Sequence, residues 1–169
     1  GNFVSCPIEA LGQTMAPYVG QNMGAGKPKR IGKGLLAASL MGFGVSAVLL
    51  VIVLLFGKPM TLLFLSAKEV KAVKYAYQYM IVTTAGYSLL TLVNTVRFTI
   101  QGMGFSYLAI LAGVCEMAAR SVVGIFFVPL IGYKAACFAS PMAWLCADLF
   151  LIPAFMYASK TLKRRLQDQ

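Results

Sequence analysis

Histidine is absent from all 169 residues, and acidic side chains number only five. Without histidine there is no Ser-His-Asp or Cys-His nucleophile pair, no His-ligated metal and no Ser-His intramembrane protease chemistry. Charged residues are also scarce: 12% of the chain, where a soluble domain carries about 25%. In their place, 59% of residues are hydrophobic and mean hydropathy is +0.77. A chain this short cannot hide so much apolar surface in one globular core, which excludes a water-soluble globule. Disorder is excluded too, since it requires low hydrophobicity.

Other absences narrow the chemistry. The four cysteines, Cys6, Cys115, Cys137 and Cys146, sit in apolar stretches without CxxC spacing; they read as small buried hydrophobes, with no metal site and no redox pair. No GxGxxG is present and no carboxylate pair is spaced for acid-base work. The run from Gly20 to Pro28 imitates a phosphate loop, but Pro28 stands where Ser or Thr must follow the lysine, and no strand precedes it. Nothing in the sequence suggests an enzyme or a cofactor.

What is present is a series of lipid-length apolar runs. A helical span needs about 20 mostly apolar residues. Leu35 to Gly57 contains no charge, nor does Tyr75 to Val96. Two more runs follow, at about 107–131 with Glu116 and Arg120 inside and at 135–157 with Asp148 inside. A further stretch, 2–23, contains Glu9 and two prolines, Pro7 and Pro17, that are expected to kink it. The expectation is therefore an all-α, polytopic transmembrane bundle of five spans, 2–23, 35–57, 75–97, 107–131 and 135–157. Residues 58–74 are expected to form an interfacial loop with an amphipathic piece, and 158–169 a basic tail.

The net charge of +10 comes from 15 Lys+Arg against 5 Asp+Glu. These cations cluster between apolar runs, the pattern of a membrane protein rather than of a nucleic-acid binder. One side would receive nine: Lys27, Lys29, Arg30, Lys33, Arg97, Lys160, Lys163, Arg164 and Arg165. The other would receive five: Lys58, Lys68, Lys71, Lys74 and Lys134. The bias predicts a cytoplasmic C-terminus and an external 58–74 loop. It also leaves the N-terminal end outside, which, with no initiator Met at Gly1, leads to the expectation that the chain is part of a longer polypeptide.

Within the spans, small residues recur every fourth position: Gly12, Ala16, Gly20, Gly24; Gly34, Ala38, Gly42, Ser46; and Ala135, Ala139, Ala143, Ala147. Such stripes allow close helix approach in lipid. The third span carries a polar flank of Thr84, Ser88, Thr91 and Thr95 with Tyr87 and Asn94 adjoining; the first has a shorter one in Thr14, Tyr18 and Gln21. Hydrocarbon penalises unpaired polar groups by several kcal/mol, so these faces meet either neighbouring helices or a water-filled substrate cavity. Glu116 and Arg120 are spaced for an i,i+4 ion pair, read as a structural clamp. Glu9 and Asp148 lack a charge partner at helical spacing and are candidate protonatable groups.

The segment Gly20-Gln21-Asn22-Met23-Gly24-Ala25-Gly26-Lys27-Pro28, followed by Arg30, resembles the multidrug and toxic compound extrusion (MATE) transporters. Arg97 through Gln101-Gly102-Met103-Gly104, and Glu116, Arg120, Gly132 and Trp144, are similar to later parts of that family. The resemblance implies the last five helices of a two-lobe, twelve-helix antiporter. Such a pump expels cationic or amphiphilic drugs and metabolites across the plasma membrane as sodium ions or protons enter. It further implies that this piece needs the N-terminal lobe to transport and that residues binding the coupling ion lie partly outside it. A lipid-linked sugar flippase of the same superfamily and a non-transporting small bundle are the alternatives. The flippase would need a cationic cavity, whereas Arg120 is the one intramembrane cation expected here.

Overall fold

A computed structural model describes residues 2–62 and 70–167, which are helical and contain no strand. Helices α1 (Asn2–Gly24) and α2 (Lys29–Leu62) form an antiparallel hairpin, followed by α3 (Val70–Ala85) and α4 (Tyr87–Gly102). Then come α5 (Ser106–Val122), a π-helical stretch Val123–Phe127, a short α6 (Val128–Ile131) and the long α7 (Tyr133–Gln167). The π stretch ends two residues before Pro129, which has no N–H to return to the preceding turn.

The helix stops follow from glycine. Gly26 has φ +66°, the left-handed conformation that ends helices. Around it Lys27 N–H bonds the Asn22 carbonyl and Gly26 N–H bonds the Met23 carbonyl, the paired closure of a Schellman motif. The same closure recurs after α4: Gly104 has φ +86°, with Phe105 N–H on the Ile100 carbonyl and Gly104 N–H on Gln101. Both glycine-rich segments that carry the family resemblance are thus helix terminators.

Helix α4 is the hub, packed against α1, α2, α3, α5 and α7. Nine of its sixteen residues are buried, among them Val93, Thr91, Thr95, Thr99 and Ile100 at 1% exposure or less. By contrast Leu36, Leu55, Ile110, Leu130 and Leu149 are each more than 60% exposed on the outside of the bundle. A water-soluble protein does not display so much contiguous apolar surface; lipid covers it.

Several expectations change. Among the described residues, three helical segments are long and apolar enough to cross a membrane: Lys29–Leu62, Ser106–Ile131 and Tyr133–Leu162. The predicted third span is a bent pair, Lys71–Ala85 and Tyr87–Gly102, with a 46° bend, and counting that pair as one span gives four. The α1 helix is long enough at 23 residues but not among the segments that qualify. It runs as one helix with Pro7 and Pro17 inside it. The bend lies at Gly86, where a Cβ would come within 2.9 Å of the Pro141 ring and 3.1 Å of Trp144; α7 presses on α4 at that point. The 58–74 connection is helical where described, since α2 runs through Pro59 to Leu62 and α3 begins at Val70. Its middle, 63–69, lies outside the described residues. The basic tail continues α7 to Gln167, with 168–169 outside the described residues.

Candidate functional site

The polar flank of α4 resolves into a hydrogen-bonded column. Thr91 donates to the Tyr87 carbonyl at 2.9 Å, Thr95 to Thr91 at 2.8 Å and Thr99 to Thr95 at 2.7 Å. Each hydroxyl is thereby satisfied by its own helix one turn back. Ser46 of α2 lies 3.2 Å from the Thr91 hydroxyl and Ser39 lies 3.4 Å from that of Thr95. A Cβ on Gly42 would collide with Thr91, and one on Gly12 would come within 2.7 Å of Asn94 Cβ. The small-residue stripes of α1 and α2 therefore seat α4, although Gly20 and Gly24 face open space. Of the two readings open for this face, Thr91 and Thr95 answer to interhelical packing, with no exposed surface left to line a cavity.

The other α4 candidates diverge. Thr84 and Tyr87 are buried, and Tyr87 stacks at 6.0 Å, tilted, on Trp144 of α7. Ser88 is exposed. Asn94 is buried with Nδ2 lacking a hydrogen-bond partner among the described residues. On α1, Thr14 donates to the Leu11 carbonyl and the Tyr18 hydroxyl donates across to the Arg30 carbonyl of α2. Thr14 and Tyr18 line a groove of about 390 Å³ between α1 and α2, whereas Gln21 stands exposed outside it. The charged residue in that groove is Lys33, which repels an organic cation; a cationic substrate is not favoured there. Asn22 folds back, its Nδ2 donating to the Tyr18 carbonyl at 2.8 Å.

The charges assemble across three helices. Glu116 of α5 accepts from Arg120 at 2.9 Å, as its spacing predicts, and also from Arg97 of α4 at 2.8 Å. Arg120 is thus not the only cation paired inside the bundle: with Arg97 taken out of the predicted loop count, that count becomes eight against five. The signal was in the sequence, since Arg97 directly follows the apolar run ending at Val96 and precedes the helix stop at Gly104. Side-chain exposures are 17% for Glu116, 22% for Arg97 and 50% for Arg120. Asp148 of α7 is buried at 5% exposure and forms no ion pair among the described residues. Its Oδ2 and the Nε of Arg97 both lack a hydrogen-bond partner among the described residues. Glu9 on α1 is exposed and accepts from Ser5 at 2.7 Å. Among the described residues no three His, Cys, Asp or Glu side chains gather to hold a metal.

Apolar helices with lipid-facing exteriors, a buried hub helix and charges paired between helices define a polytopic membrane helix bundle. The MatE family model matches residues 1–130, and the chain belongs to that family, whose members are transporters rather than enzymes. The match runs from α1 into α6 and stops short of α7 with Asp148. No curated protein and no solved structure gives a significant match.

Proposed function

We propose that the chain forms most of the C-terminal lobe of a cation-coupled antiporter that exports cationic, amphiphilic drugs or metabolites by alternating access. In this reading it works with an N-terminal lobe, in the plasma membrane, with the C-terminal end of α7 in the cytoplasm. The eight-to-five Lys/Arg bias supports that orientation.

One observation carries the choice of substrate. Inside the helices three carboxylates, Glu9, Glu116 and Asp148, face two guanidiniums, and both guanidiniums bond Glu116. A phosphate-bearing substrate finds both of these guanidiniums already committed to Glu116, whereas a cationic one finds the exposed Glu9 carboxylate. Sodium ions or protons would supply the driving gradient.

The test uses the full-length gene product in proteoliposomes. An imposed inward sodium or proton gradient should drive extrusion of tetraphenylphosphonium, while the 169-residue chain alone should not. Glu9→Gln should lower transport about tenfold, the loss of one charge contact of ~1.4 kcal/mol. Movement of a lipid-linked sugar without movement of organic cations would replace this reading with a flippase. Movement of neither would leave a non-transporting bundle.

A further inference from the structure

The α1–α2 hairpin is electrostatically one-sided: no acidic residue occurs between Glu9 and Glu69. At its turn Lys27, Lys29, Arg30 and Lys33 are all exposed. They form no ion pair among the described residues, whose salt bridges are the two on Glu116. The groove described above begins at this cluster. Gly34 and Ala37 keep its α2 wall low, and the Tyr18 ring stands so close to Gly34 that a Cβ there would collide with it. Leu11 and Met15 supply the opposite wall. From Lys33 to Met41 the groove follows eight residues of α2, about 12 Å of helix, and it opens onto a face where Leu36, Leu40 and Met41 are each more than half exposed. It is therefore an apolar channel, open to lipid along its length, with unpaired positive charge at one end.

We propose that this groove binds one anionic phospholipid, with its phosphate on Lys33 and the neighbouring cations and one acyl chain lying along Leu11, Met15 and Met41. Charge complementarity selects the headgroup, because juxtamembrane lysine clusters attract anionic lipid. The groove adds what a cluster alone lacks, a track that holds a chain against small residues. A zwitterionic lipid meets the same track without net attraction at Lys33, and an organic cation is repelled.

The protein would be released from nanodiscs containing equal phosphatidylglycerol and phosphatidylcholine and weighed by native mass spectrometry. One phosphatidylglycerol should remain bound per chain in preference to phosphatidylcholine. Lys33→Gln should reduce that retained population about fivefold. Ala37→Leu should reduce it similarly with every charge intact, because the leucine occupies the track; Ala37 is exposed, so folding is spared. Met41→Gln, which makes the far end of the track polar, is a second groove variant. Equal retention of both lipids would overturn the proposal. So would wild-type retention in both groove variants, which would reduce the effect to surface charge. Displacement of phosphatidylglycerol by tetraphenylphosphonium would also overturn it, by assigning the groove to the export path.

Discussion

The threonine column of α4 and the arginine two residues beyond Thr95 share one helix, yet they are satisfied by opposite means. Thr91, Thr95 and Thr99 each return their hydroxyl hydrogen to a carbonyl four residues back, and the helix supplies everything they need. Arg97 has no such recourse. Its partner is Glu116, nineteen residues away on α5. A neutral hydroxyl face inside lipid is therefore weak evidence for a water-filled path, since it can close on itself and pack dry. A charge inside lipid must be neutralised, and where its own helix offers no partner, as for Arg97, the ion pair reports tertiary structure.

The sharpest way to break this contrast is Glu116→Ala. It removes the acceptor of both guanidiniums and leaves Arg97 largely enclosed with no ion-pair partner among the described residues. Breaking a buried pair costs about 3–5 kcal/mol; the partial exposure here places the expected loss near the lower end. Thermal unfolding in detergent and the level of protein in membranes should both fall clearly. Glu116→Gln should recover part of the loss, since its amide oxygen still accepts one guanidinium bond. Wild-type stability of the alanine variant would mean that Arg97 needs no ion-pair partner.

The contrast also explains what was legible beforehand. The helical class, the apolar runs and the Gly26, Gly104 and Gly132 stops depend on composition and backbone chemistry, and these can be read locally. The Glu116–Arg120 contact was legible because it lies within one helix turn. The Arg97 contact was not, because it depends on how α4 and α5 come to lie together. The bend at Gly86 was missed for a similar reason: its cause is the crowding of Pro141 and Trp144 from α7. Thr14 and Tyr18 were found as polar residues on a helix face, but the positive charge of Lys33 in their groove comes from α2.

A smaller effect tests the hydroxyl side. Thr91→Val keeps the β-branched shape against Gly42 and deletes only the hydroxyl, so it should cost about 1 kcal/mol. Pairing it with Ser46→Ala in a double-mutant cycle should give a coupling of ~0.6 kcal/mol, the usual size for interhelical polar contacts in membranes. Unfolding midpoints of the four proteins provide the measurement. A coupling of several kcal/mol would show that the seam depends on the α2 contact and not on the α4 backbone.

Arg120→Ala should be the mildest of the three, and it separates the two arginines that a count of charges treats alike. The Arg120 side chain is half exposed, whereas that of Arg97 is 22% exposed. Removing Arg120 leaves Glu116 still bonded to Arg97, so no charge is stranded. What goes is one charge-assisted bond on the bundle surface and the packing of the arginine stem. With no charge stranded, the unfolding midpoint should move far less than for Glu116→Ala. Arg120→Lys should be nearly silent, since a flexible ammonium can still reach the Oε1 that faces it. If Arg120→Ala instead matched Glu116→Ala, the outer arginine would be the one holding Glu116 in place, and the inner Arg97 contact would follow from it.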